Sequence, residues 1–170
     1  MTPEELSARL AAFLKRSHDA RAVQIDDLRM LTGGASRQTW SFDARIEGED
    51  GSARTLPLVL RSNPRSGTSA VHGELEYRLL NAAHQEGVPV PKPHLLGDDS
   101  LDAPFFLMER VEGETIPRRL LRDDVYANAR ASMAAQLGGI LARIHRIDIV
   151  RHKLEALPSP PSGASPAEDE

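Results

Sequence analysis

The 170 residues are 40% hydrophobic and 27% charged, with a net charge of -4, no cysteine, and six histidines that show no paired ligand spacing. This balance suits one modest core or two small lobes, and it excludes a disulfide framework, a thiolate metal site and the basic stripe needed to track a phosphate backbone. Neither nucleic acid nor a membrane is an expected partner, since no apolar run approaches spanning length, and a soluble cytoplasmic protein is the expectation.

In chain order, Thr2 is placed to cap a helix with Pro3 at its first position and Glu5 near the third, and Leu6, Leu10, Phe13 and Leu14 form its apolar stripe. An amphipathic helix is therefore expected within residues 1–21. Two β-prone runs, VQIDDLRML and RQTWSFDA, flank the pair Gly33-Gly34, and a polar turn, EGEDGSA, precedes a third run, TLPLVLRS. These read as three antiparallel strands. Helical spacing through Val71, Leu75, Leu79 and Ala82 predicts a helix from about Ser69 to Gly87, where the glycine ends it. VPVPKP forbids helix, and HLLGDD and APFFLMERV read as two further strands joined by an Asp-rich turn. Asp123 or Asp124 is placed to cap a long last helix with apolar residues at Val125, Met133, Leu137, Ile140, Leu141 and Ile144. Its partner surface is not evident in the chain. The closing run PSPPSGASPAEDE has no core-forming residue and is expected to be disordered.

Several residues in this order suit the binding of a phosphorylated ligand. Glycines at Gly33 and Gly34 let a backbone approach phosphate oxygens, and Ser36 adds a hydroxyl donor; a plain hairpin turn is the competing reading. Arg61 follows the apolar run Leu56 to Leu60, and strand alternation puts it on the face of Val59, where a guanidinium suits phosphate; a solvent-facing arginine at a strand end is the alternative. Its candidate partner is Glu76, which shares a helix face with Leu79, Leu80 and Ala83, whereas Glu74 is in ion-pair register with Arg78. PFFLMERVEG turns from apolar to polar as a strand leaving a core does, and Met108 is placed to border a pocket. His145, late in a helix, reads as a packed or C-capping residue rather than as a general base.

LTGGASRQTW, VLR some twenty residues on, ELEYRLL, FFLMERVEG and LARIHRID together resemble the aminoglycoside phosphotransferase-like small-molecule kinases, across most of residues 22–150. The likeness is greatest to the branch found alone in bacteria or fused to acyl-CoA dehydrogenase domains, where GG-x-S, Arg in place of Lys, and PFF-x-ME recur. The resemblance implies an α+β fold. Residues 22–112 would be a protein-kinase-like N-lobe and connector, with a five-stranded antiparallel sheet and one packed helix; residues 113–155 would begin a helical C-lobe, and 156–170 would be a tail. It further implies ATP, bound by Gly33, Gly34, Ser36, Arg61, Glu76 and Met108 and by connector backbone groups of Glu109 and Val111.

Phosphoryl transfer in this family needs an Asp in a His-Gly-Asp loop, then an Asn and a second Asp for Mg²⁺. The sequence has no His-Gly-Asp, and the HRID tetrad at 145–148 lacks a downstream Asn. No catalytic or metal residue is therefore assigned. The expectation is the nucleotide-binding part of an ATP-dependent phosphotransferase for a small-molecule hydroxyl, truncated before its catalytic loop and inactive as given, with Mg²⁺ and the acceptor site dependent on the missing half. A free-standing nucleotide-binding or interaction module, and a plain α+β interaction domain, remain the alternatives.

Overall fold

The computed structural model describes residues 1–31, 38–62 and 69–157. The expectation of a disordered closing run thus lies, from residue 158 onward, outside the described residues. The first helix, α1 (Pro3–Ser17), begins as its sequence dictates. The Glu5 N–H donates to the Thr2 hydroxyl at 3.2 Å, and the Glu5 carboxylate accepts the Thr2 N–H at 2.9 Å, so two otherwise orphaned donors are satisfied reciprocally. Its stripe of Leu6, Leu10, Phe13 and Leu14 is buried throughout.

The strands β1 (Ala22–Met30), β2 (Gln38–Glu47), β3 (Ala53–Ser62), β4 (Pro93–Leu96) and β5 (Phe105–Glu109) form one sheet in the order β1-β2-β3-β5-β4, with every neighbouring pair antiparallel. This is the five-stranded antiparallel sheet expected from the sequence. Because side chains alternate along a strand, central β3 serves two faces. Leu58 and Leu60 join Phe42, Ala44, Ile46, Phe105 and Leu107 in a core closed by α1. Val59 and Arg61 point to the opposite face, as do Ser41 and Asp43 of β2 and Phe106 and Met108 of β5. The helix α2 (Ser69–Gln85) covers part of this second face, with Tyr77 edge-on to Phe106 at 5.9 Å between ring centroids.

Two glycines are required locally. Gly87 takes φ +72 just after α2 and reverses the chain toward Val88, which is buried. Gly97 lies so close to Phe105 that a Cβ there would stand 2.4 Å from the ring.

After β5 the sequence-based expectation needs correction. The long last helix is α4 (Ala127–Ile144), and it starts at Tyr126 without a side-chain cap. A short helix, α3 (Pro117–Arg122), and a 3-10 turn at Asp124–Tyr126 precede it. Asp123 does not cap because its carboxylate is held by Arg119 at 3.3 Å, while Arg130 draws the Leu120 and Asp123 carbonyls together at 3.0 and 2.7 Å. Asp124 lies within the 3-10 turn rather than ahead of a helix. Beyond α4, Glu86 at the end of α2 accepts from Arg151 and pairs with His152 at 3.0 and 2.9 Å, and Leu154 is buried.

Removing the Leu10 side chain from the fully enclosed α1 stripe is expected to cost about 2–5 kcal/mol, read by chemical denaturation of Leu10→Ala. Stability should also fall in acid. The pKa of His18 is lowered by burial and then by Arg54, and that of His94 by burial and then chiefly by Lys92. Arg54 can only donate, so the His18 Nδ1 3.2 Å away is the acceptor of a neutral ring. Below the ordinary histidine pKa, the unfolded chain therefore takes up protons that the folded chain resists. The melting temperature should be level above about pH 7 and fall as pH drops toward about 5, and His18→Gln should lessen the fall.

Candidate functional site

On the second face, β3 brings Arg61 against α2. Its Nε lies 2.7 Å from Glu76 Oε1, with side chains 30% and 22% exposed. The buried Nε makes no hydrogen bond of acceptable geometry, so this close approach is an attraction of charges more than a directional bond. Glu74 points elsewhere and pairs with Arg78 one helical turn on. The discrimination between the two glutamates that helical spacing suggested is thus the one the fold makes.

Arg61 pairs with Thr39 across the sheet, and the β1–β2 connection closes where the Leu31 N–H donates to the Thr39 carbonyl at 2.8 Å. Gly33, Gly34 and Ser36 lie outside the described residues, but the residues flanking them leave the sheet beside Arg61. The connector lies at the other end. Met108 pairs with Val59 and is partly exposed, and Glu109 pairs with Leu58. The Glu109 N–H is already donated to the Lys92 carbonyl at 2.8 Å, and its carboxylate accepts the Lys92 N–H at 3.2 Å. A ligand would therefore find the Glu109 carbonyl rather than its amide. Val111 follows, 62% exposed. Arg61 and the connector are about 10 Å apart along β3, on a face bounded by α2.

Arg110 escaped the sequence reading, which valued the connector for its backbone. Its N–H donates to the Pro57 carbonyl at 3.0 Å, which extends the ladder, and its side chain crosses to β2. There, one terminal nitrogen lies 2.9 Å from Asp43 and the other 3.4 Å from the Ser41 hydroxyl, while Nε is 3.3 Å from Glu112. Counting alternate residues from Met108 and from Ser41 would have placed Arg110 and Asp43 on one face.

A model of the phosphotransferase enzyme family matches residues 27–166. The chain belongs to the phosphotransferase enzyme family. It is also 35% identical over 104 residues to acyl-CoA dehydrogenase family member 10 of Mus musculus, a match covering 58% of this chain and 10% of that protein. The chain thus spans about a tenth of that relative. No solved structure matches it. The sheet and α2 are those of a kinase-like N-lobe, and the likeness to the acyl-CoA dehydrogenase-associated branch agrees with this relative.

The HRID tetrad at 145–148 has other work. His145 is the exposed C-capping residue of α4, and Asp148 accepts the N–H groups of Val150 and Arg151, each at 3.0 Å, to close a turn. Among the described residues no three histidines or carboxylates are grouped to hold a metal, and no helix is long and apolar enough to cross a membrane. A cavity of about 140 Å³ between Met1, Leu6, Trp40 and Leu101 lies on the α1 face, away from the Arg61–Glu76 pair.

Glu76→Ala leaves the buried Arg61 nitrogen without its facing carboxylate and is expected to cost about 1–3 kcal/mol. Glu74→Ala, on an exposed pair, should change stability by less than about 0.5 kcal/mol. Urea denaturation of the two variants compares them directly.

Proposed function

We propose that this chain is the nucleotide-binding part of an ATP-dependent phosphotransferase acting on the hydroxyl of a small molecule. The observation that carries the reading is the Arg61–Glu76 pair on the open face of the sheet, between the end of the β1–β2 connection and the start of the connector. Glu76 holds the guanidinium against the sheet, so Arg61 meets the α- and β-phosphates already oriented and offsets their charge where water is partly excluded. Gly33, Gly34 and Ser36 would supply amide and hydroxyl donors to the phosphates, Met108 would border the base, and the Glu109 carbonyl and Val111 backbone would hold its edge. Mg²⁺, when bound, would supply charge neutralisation to the phosphates, and none of the residues named here is assigned to hold it.

In this reading the acid that orients the acceptor hydroxyl and the Mg²⁺ ligands come from residues other than these, since the sequence contains no His-Gly-Asp and Asp148 closes a turn. The chain alone should then bind ATP without transferring its phosphate. ATP as the donor suits a cytoplasmic setting. A second reading, a non-catalytic nucleotide-binding or interaction module, draws on α4, whose Leu137, Leu141 and Ile144 are 57%, 52% and 43% exposed.

Calorimetric titration with ATP tests the assignment. Arg61→Glu is expected to weaken binding by more than about tenfold, because it replaces the cation facing the phosphates with a like charge. Equal affinity in the variant and the parent would remove Arg61 from the site.

A further inference from the structure

On the face that carries Arg61, the residues beneath a bound base would be Val59 and Ser41, which pair directly with one another across β3 and β2. Both are nearly inaccessible, 6% and 1% exposed. The Arg110 side chain reaches the Ser41 end of this pair. Anchored by its own amide to Pro57 on β3, it places its head beside Ser41 and Asp43 on β2 and keeps 22% of its side chain exposed. Its Nε faces Glu112, so carboxylates approach the guanidinium on two edges. Carboxylates meet a guanidinium in its plane, and such contacts leave its flat faces available. With 22% of its side chain exposed, part of the group remains accessible to a ligand.

We propose that Arg110, held by Asp43 and Glu112, is a specificity-determining residue that forms the stacking surface for the nucleotide base. The proposal rests on the nucleotide reading above and adds to it the group against which the base lies. A planar cation suits this role because guanidinium planes stack on bases, and its fixed edges mean that little freedom is lost on binding. Arg61 and Arg110 then divide the ligand, the first taking phosphate charge and the second the base. They stand at opposite ends of the face, because Arg61 pairs with Phe106, four residues before Arg110.

The test is calorimetric titration of the 170-residue chain and its Arg110→Lys and Arg110→Ala variants with ATP and, separately, with tripolyphosphate, which has no base. Lys keeps the charge facing Asp43 but loses the plane. Both variants are expected to bind ATP at least about tenfold more weakly and tripolyphosphate as the parent does, with melting temperatures confirming that each is folded. Unchanged ATP affinity in Arg110→Lys overturns the stacking role. Tighter ATP binding by Arg110→Ala overturns it too, and would make the side chain a cover over Val59 and Ser41. Equal weakening toward both ligands would reduce Arg110 to general charge. A parent chain that binds neither ligand would refute the nucleotide reading itself, and this proposal with it.

Discussion

The two-sidedness of β3 is the constraint on which the rest of this structure depends. Leu58 and Leu60 must be buried, and strand geometry then obliges Val59 and Arg61 to face the other way. One face becomes a core and the other carries the Arg61–Glu76 pair. A slip of one residue in the register would put Arg61 into a wall of leucine and phenylalanine, at a cost no pairing within that core would offset. Ten consecutive β2–β3 pairs, from Gln38–Ser62 to Glu47–Ala53, hold the register along the whole strand.

The two helices packed on the sheet play unequal parts. The first, α1, closes the core face with four buried side chains and ties itself to the turn before β5 through Arg9 to Asp102 and Arg16 to Asp98. Those ion pairs are exposed, so the helix is held by its apolar stripe, with the charges setting its direction. The second, α2, brings a carboxylate to the other face, opposite Arg61. Its far end is met by α4 itself, through Arg143 to the Gly87 carbonyl, and by the chain that follows α4, through Arg151 and His152 to Glu86. The region after α4 thereby bears on the position of the helix that carries Glu76.

Much of this was legible in local chemistry. The Thr2–Glu5 capping box, the α1 stripe, the order helix, three strands, helix, two strands, and the choice of Glu76 over Glu74 all follow from short-range periodicity and capping rules, whose ranges are shorter than the elements they describe. The family was legible for the same reason, because its motifs are contiguous. The start of α4 was misread where one local pairing competed with another: Asp123 is a good capping residue whose carboxylate meets Arg119, one turn back.

From its own residues, then, the sequence determined the elements, their alternation and the charges available on each. It did not determine which charges meet. Arg61 and Glu76 are fifteen positions apart and Arg110 and Asp43 sixty-seven, and only strand pairing and the docking of α2 reduce those separations to 2.7 and 2.9 Å. Alternation assigns a side chain to a face, but the meeting of Arg110 with Ser41 and Asp43 depends on a long, flexible side chain crossing from one strand to another. That path is chosen by the tertiary positions of its partners, because no local rule prefers one rotamer of a long arginine side chain strongly enough to decide it.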